Sequence, residues 1–167
     1  MLQAVVRRNG KFVRRCTAVN DVVVSREAFS RVIDMRLFIN GEEVNTFVAD
    51  GLICSTPVGS TAHCLAAGGP IITRDVNALV VTPICPHSLS NRPIVVDAGA
   101  VIEVEVRSSS VSFALTADGQ VLIPLRNGDR IAMRRNPWPL RMLKVSGRSF
   151  FQTLRTKLLW EGSPKHA

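Results

Sequence analysis

Tyrosine is absent, aromatic residues are only 5% of the 167, and acids are few: 13 Asp and Glu against 21 Lys and Arg. So few rings leave little on which nucleobases could stack, which weighs against a single-strand nucleic-acid binder. No apolar run approaches the ~20 residues of a membrane-spanning helix. The stretch from Met1 to Arg15 has no apolar block of secretory-leader length and is threaded with Arg and Lys. Cys16, Cys54, Cys64 and Cys85 form no C-x-x-C pair. They read as free, mostly buried thiols of a cytoplasmic protein, without zinc or disulfides. Neither the G-x-x-x-x-G-K-[ST] loop nor the G-x-G-x-x-G turn occurs, so the familiar phosphate cradles are missing.

What the chain does have is 46% hydrophobic residues against 20% charged, enough for a single globular domain over residues 1–167. The net charge of +8 is uneven. Arg7, Arg8, Lys11, Arg14 and Arg15 precede the first acid, and a second basic stretch runs from Arg126 to Arg148. A basic domain attracts polyanions: nucleotides, polyphosphate, nucleic acid or an acidic partner.

Asn9-Gly10, Asn40-Gly41, Asp50-Gly51, Asp118-Gly119 and Asn127-Gly128 punctuate short β-branched runs. Such dipeptides signal hairpins, because both central residues take positive φ. Between Val101 and Val106, Ile102, Val104 and Val106 face one way while Glu103 and Glu105 face the other, which implies one covered face and one wet face. About a dozen strands exceed what one open sheet holds easily. The expected fold is all-β and mostly antiparallel: a two-sheet β-sandwich with one short internal helix at about 61–67 and a C-terminal helix at about 149–162. In that second helix Phe150 or Phe151, Leu154 and Leu158 form the apolar stripe.

The chain is organised around Asp50-Gly51-Leu52-Ile53-Cys54-Ser55-Thr56-Pro57-Val58-Gly59-Ser60-Thr61-Ala62 and its continuation to Gly68-Gly69-Pro70. It reads as a turn, a buried strand, a Pro/Gly loop, a short helix capped by Ser60 or Thr61, and a stop. Hydroxyls and backbone N–H groups gathered there suit a polar, phosphorylated ligand. Upstream, Asn20-Asp21 opens a Val run. Its carboxylate can accept from the vicinal hydroxyls of a ribose and its amide can read a base edge, although the local chemistry alone favours a plain turn.

Ser-Thr-Pro-x-Gly-Ser-Thr-Ala followed by Leu-x-Ala-Gly-Gly-Pro resembles the NAD kinase family, which transfers the γ-phosphate of ATP to the 2′-hydroxyl of NAD. The resemblance extends through Thr82-Pro83-Ile84-Cys85-Pro86-His87-Ser88-Leu89-Ser90-Asn91-Arg92-Pro93 and Asp118-Gly119-Gln120 to the C-terminal helix. It implies that Asn20 and Asp21 contact the adenosine of NAD, that Thr61 and Ala62 contact adenine, and that Val58, Ser60 and Ala66 line the same loop. It implies that Asp50 serves the nicotinamide side, often across a subunit boundary. His63 stands where the family often has Tyr and can stack only weakly. His87, Arg92, Asp118 and Gln120 are further candidates; His87 reads as a loop histidine bonded to backbone, and Asp118 as structural first.

The family's phosphate donor, ATP or polyphosphate with Mg²⁺, is held by a Gly-Gly-Asp-Gly turn in a preceding domain. This sequence contains no such turn. The resemblance therefore implies the NAD-binding domain alone, inactive by itself, with no catalytic residue and no metal ligand of its own, belonging to a homo-oligomer away from membranes. A basic β-sandwich binding nucleic acid or another polyanion is the competing reading. A related lipid kinase is the third, disfavoured by Asn20-Asp21 and the Gly-Ser-Thr-Ala string.

Overall fold

The computed structural model describes residues 1–27, 32–107, 112–143 and 147–160. Among these, one six-stranded sheet has the order β2 (Lys11–Ala18), β1 (Leu2–Arg8), β12 (Arg130–Arg135), β9 (Ile102–Arg107), β4 (Ile33–Ile39), β5 (Glu42–Ala49). The other runs β11 (Val121–Leu125), β10 (Phe113–Ala117), β3 (Asp21–Arg26), β6 (Gly51–Ser55), β7 (Ala78–Ile84), β8 (Ile94–Asp97). Every pairing is antiparallel. The expected sandwich is present.

Alternation along the strands builds the core. Leu2, Ala4 and Val6 of β1, Met35 and Leu37 of β4, and Ile102, Val104 and Val106 of β9 turn inward. They join one cluster with Val22 and Val24 of β3, Leu52 and Cys54 of β6, and Phe113 and Leu115 of β10. Burying each such aliphatic or aromatic side chain contributes about 1.5–3 kcal/mol. The second sheet is also covered on its outer face, where Val23, Ile53 and Val80 meet Cys64 and Ile72. That double covering accounts for the unbroken apolar runs of β3, β6 and β7, which do not alternate.

Three of the five Asn/Asp-Gly pairs are hairpin turns with both residues at positive φ: Asn9 and Gly10 (50° and 76°), Asn40 and Gly41 (52° and 84°), Asp118 and Gly119 (50° and 65°). The other two correct the expectation, because they carry the chain between sheets. Asp50-Gly51 leads from β5 in the first sheet to β6 in the second. Gly51 is needed for close approach: a Cβ there would lie 2.7 Å from the Val24 carbonyl oxygen. Asn127-Gly128 leads back from β11 to β12. That crossing is held by the buried Asp129 carboxylate, which accepts from Arg8 Nε and Nη2, both at 2.8 Å, and from the Arg126 N–H at 2.8 Å.

The short helix is a single 3-10 turn, Gly59–Thr61, followed by α1 (His63–Ala66). Neither has a side-chain cap, so Ser60 and Thr61 do not cap it as expected. Gly68, at φ 82°, ends it as the sequence requires. The C-terminal helix α2 spans Phe150–Leu158, shorter than expected; residues 161 and 162 lie outside the described residues. It begins at a capping box, with Ser149 Oγ accepting from the Gln152 N–H and Gln152 Oε1 from the Ser149 N–H. Leu159 stops it at φ 53°. Of its apolar stripe only Leu154 is buried.

Candidate functional site

The site begins where the chain turns into β3. The Asp118 carboxylate, at the tip of the β10–β11 hairpin, accepts from the backbone N–H groups of Val19 (2.7 Å), Asn20 (2.8 Å) and Asp21 (3.2 Å). Its own N–H donates to the Asp21 carbonyl at 3.0 Å. Those three N–H groups would otherwise need water, so the hairpin tip fixes the backbone of the Asn20-Asp21 pair.

The loop after β6 clamps the same turn from the other side. Thr56 N–H donates to the Asn20 carbonyl at 2.9 Å, and Thr56 Oγ1 donates to the Val19 carbonyl at 2.7 Å. Thr56 Oγ1 in turn accepts the Gly59 N–H at 3.1 Å. Gly59 lies flat on Asn20: a Cβ there would fall 2.6 Å from the Asn20 Cα and closer still to its carbonyl. Ser60 is fully buried, donating to the Pro57 carbonyl and accepting the Ile72 N–H at 3.0 Å. The hydroxyls of Thr56 and Ser60 are therefore committed to shaping the loop, and Thr61 Oγ1 donates to the Val58 carbonyl.

What the clamp leaves is a hollow of about 250 Å³ lined by Asn20, Asp21, Val23, Ala62, His63, Thr116, Asp118 and Gly119. The side chains of Asn20 and Asp21 make no hydrogen bond among the described residues, although Asp21 is only 5% exposed. Burial pushes the Asp21 carboxyl above its ordinary range; His63 pulls it back and Asp118 pushes it further up. A mostly buried acid whose carboxylate oxygens open only onto the hollow suits a ligand that brings hydroxyl donors.

Other sequence candidates fall around this hollow or away from it. Thr61 is exposed beside Ala62, and Ala66 lies on the exposed side of α1, one turn on from His63. Val58 opens instead onto a second cleft. Gln120 is exposed at the hairpin tip, its N–H donating to Ala117. Asp50 is at the opposite end of β3 from Asp21: Asp21 pairs with Ser55, and Ser25 with Gly51. Asp50 lies five positions from Ser55 along the chain, so the two acids are roughly 16 Å apart at ~3.3 Å per residue. Asp50 is bound to Arg26 at 2.7 Å, and its N–H donates to the Ile84 carbonyl. His87 and Arg92 belong to the β7–β8 connection that leaves from Ile84; the His87 N–H donates to Val48, and Arg92 to Leu89 and Asn91. Thr116 and Val23 were missed by sequence reasoning. The signal for Thr116 was its place two residues before Asp118 on the same strand face.

Among the described residues no group of three or more His, Cys, Asp or Glu could hold a metal ion. No described helix is long and apolar enough to cross a membrane.

Comparison with known proteins agrees with this frame. Residues 19–145 match the family model of the ATP-NAD kinase C-terminal domain. The NAD kinase of Desulforamulus reducens is 48% identical over 158 residues, covering 95% of this chain and 55% of that protein. The NAD kinase of Geobacter metallireducens is 44% identical, covering 96% and 56%. The chain thus spans about half the length of these relatives. Yeast NADH kinase, solved with NADH, superposes with a TM-score of 0.83 at 28% identity over 99% of this chain and 51% of that one. An NAD kinase from Archaeoglobus fulgidus, solved with ATP, gives 0.68 at 26% identity over 83% and 51%. With its two six-stranded sheets, its doubly clamped Asn20-Asp21 turn and a family match over most of its length, this chain belongs to the NAD kinase family, of which it is the C-terminal domain.

Proposed function

We propose that this chain supplies the NAD site of an enzyme that phosphorylates the 2′-hydroxyl of NAD. The observation carrying this reading is the pair of side chains in the hollow, Asn20 and Asp21, that make no hydrogen bond to the described protein while their backbones are held from both sides. Asp21 accepts from the ribose hydroxyls of the adenosine, and Asn20 reads the adenine edge. Ala62 gives a flat wall for the base, with Thr61 and Ala66 at its rim, and His63 stacks at the mouth. Asp118 acts as a positioning residue, because its oxygens already accept three backbone N–H groups.

Asp50 cannot share a ribose or base with Asp21 in the same chain, given the strand length between them. The family resemblance is what gives Asp50 to the nicotinamide side of a neighbouring copy's NAD, in a homo-oligomer with His87 and Arg92 near that junction. The phosphate donor, ATP or polyphosphate, and its Mg²⁺ fall to the part of the longer enzyme that this chain does not match. The catalytic group belongs to that same part, and the enzyme works in the cytoplasm.

Calorimetric titration with NAD tests the reading. The native chain is expected to release heat on binding, and Asp21→Ala to weaken binding at least about tenfold, as loss of a charged hydrogen-bonding partner does. A folded chain silent to NAD, or an Asp21→Ala protein that binds equally well, would overturn it. NADP formed from ATP and NAD by these 167 residues alone would instead overturn the assignment of phosphate transfer to the rest of the longer enzyme.

A further inference from the structure

Every charged side chain on three neighbouring strands of the first sheet, β2, β1 and β12, is a cation. The other half of that sheet, β9, β4 and β5, carries Asp34, Glu42, Glu43, Glu103 and Glu105. The register sorts the cations by face. Leu2, Ala4 and Val6 of β1 and Ile131 and Met133 of β12 are buried in the core, so the residues alternating with them point outward. On that outer face Gln3 lies between Thr17 and Arg134, Val5 between Arg15 and Ala132, and Arg7 between Phe12 and Arg130. Arg7, Arg15, Arg130 and Arg134, all exposed, thus surround a flat floor of Val5 and Ala132. Neighbouring strands lie about 4.8 Å apart, and residues two apart on one strand about 6.7 Å.

Two observations set this face apart from an ordinary wet one. Arg7 stands directly across from Arg130, a like-charge cross-strand pair that costs stability. Glu43 takes Arg36, and Glu105 takes Arg107 and Arg130, whereas Lys11, Arg14 and Arg15 of the edge strand have no side-chain hydrogen bond or ion pair among the described residues. Uncompensated cations in a regular array match an anion whose charges repeat. A nucleic-acid duplex presents one charge per ~1.7 Å of its axis. Phe12 is the single aromatic ring on the three strands, too few to stack unpaired bases. Of the neutral polar side chains on the face, Gln3 already accepts from Arg134, which leaves only Thr17 to read a base edge. We infer that the outer face of β2, β1 and β12 binds the phosphate backbone of a nucleic-acid duplex without reading its sequence. The hollow of Asn20 and Asp21 opens on the outer face of the other sheet, beside Val23, so the inference does not rest on the NAD reading.

Fluorescence anisotropy with a labelled DNA duplex of mixed sequence tests this on the native chain. A dissociation constant of about 10⁻⁶–10⁻⁴ M is expected at physiological salt, and a duplex of unrelated sequence binds equally. Three or four phosphate contacts give log affinity a slope of about −2.7 to −3.6 against log salt, a loss of roughly 40- to 150-fold between about 50 and 200 mM. Arg7→Gln with Arg15→Gln makes that slope shallower by about 1.8. Arg155→Gln with Lys157→Gln removes the same charge from α2 and leaves the slope unchanged. The first pair melts no lower than the native chain, because it takes a like charge away from Arg130. Asp21→Ala leaves duplex binding intact. No binding at about 50 mM salt would overturn the inference, as would an equal loss from the two variant pairs. So would binding confined to inorganic polyphosphate or to phosphatidylserine vesicles, which would give the face to those anions. A dimer in sedimentation that Arg7→Gln with Arg15→Gln dissolves would overturn it too, by giving the face to the acidic half of a second copy.

Discussion

Gly59→Ala is the sharpest test of how the hollow is built. The added methyl group would land on the backbone of Asn20, 2.6 Å from its Cα and nearer still to its carbonyl carbon and oxygen. None of these atoms belongs to a side chain that could swing away. Overpacking costs about 1–3 kcal/mol, and a rigid backbone neighbour puts this case at the upper end. A domain of this size loses roughly 2–4 °C of melting temperature per kcal/mol, so a fall of about 6–12 °C is expected. Relief of the clash lifts the loop from Asn20 and breaks the Thr56–Asn20 hydrogen bond, so NAD affinity falls as well. The control is Gly68→Ala, where φ is 82° but nothing lies within 4 Å. It costs only the left-handed penalty of about 1–2 kcal/mol and leaves NAD binding alone. Circular-dichroism melting and calorimetry read both quantities. A Gly59→Ala protein that melts no lower than Gly68→Ala and binds NAD normally would refute the close-approach argument.

Asp118→Ala strands three backbone N–H groups and is expected to cost about 2–3 kcal/mol in urea unfolding, with weakened NAD binding although its carboxylate is not the one assigned to the ligand. For Asp21 the sign runs opposite to that of a salt-bridged acid. Its carboxyl is raised in the fold, chiefly by burial, so its favourable contribution is complete below about pH 4 and is lost as pH rises through the raised value. Asp21→Asn should therefore melt above the native chain at neutral pH, with the gap closing toward pH 4, while NAD binding weakens; a constant gap across that range would contradict this. Of the four thiols only Cys85 is exposed, so a colourless-to-yellow thiol titration should count one fast thiol in the native chain and four after denaturation.

Much of the architecture was legible because strand alternation and turn chemistry are local. Ile102, Val104 and Val106 against Glu103 and Glu105 could be read directly, and so could Asn9-Gly10. Asp50-Gly51 and Asn127-Gly128 misled, because the dipeptide records a backbone that must bend or pack tightly and says nothing about which sheet receives the next strand. Ser60 misled for a related reason. A hydroxyl before a short helix looks like a cap, yet its partner is the Ile72 N–H, twelve residues on. Asn20, Asp21, Ala62 and His63 were found through the family string and do converge on one hollow. Local chemistry alone reads the first two as a plain turn, since the features that make them a site are hydrogen bonds to Asp118 and Thr56.

The carboxylate that holds the Asn20-Asp21 backbone is contributed 97 to 99 positions downstream of the groups it binds, and the opening strand β1 is flanked by β12 as well as β2. On the proposed reading, a nascent polypeptide emerging from the ribosome therefore has nowhere to lodge NAD until the β10–β11 hairpin has been delivered. The first strand can pair with β2 at once, but its other edge waits longer still, for the residues near 135. Such distant closures are slow. NAD bound as proposed would then favour only the finished fold, by mass action, and could not shelter any half-made form on the way.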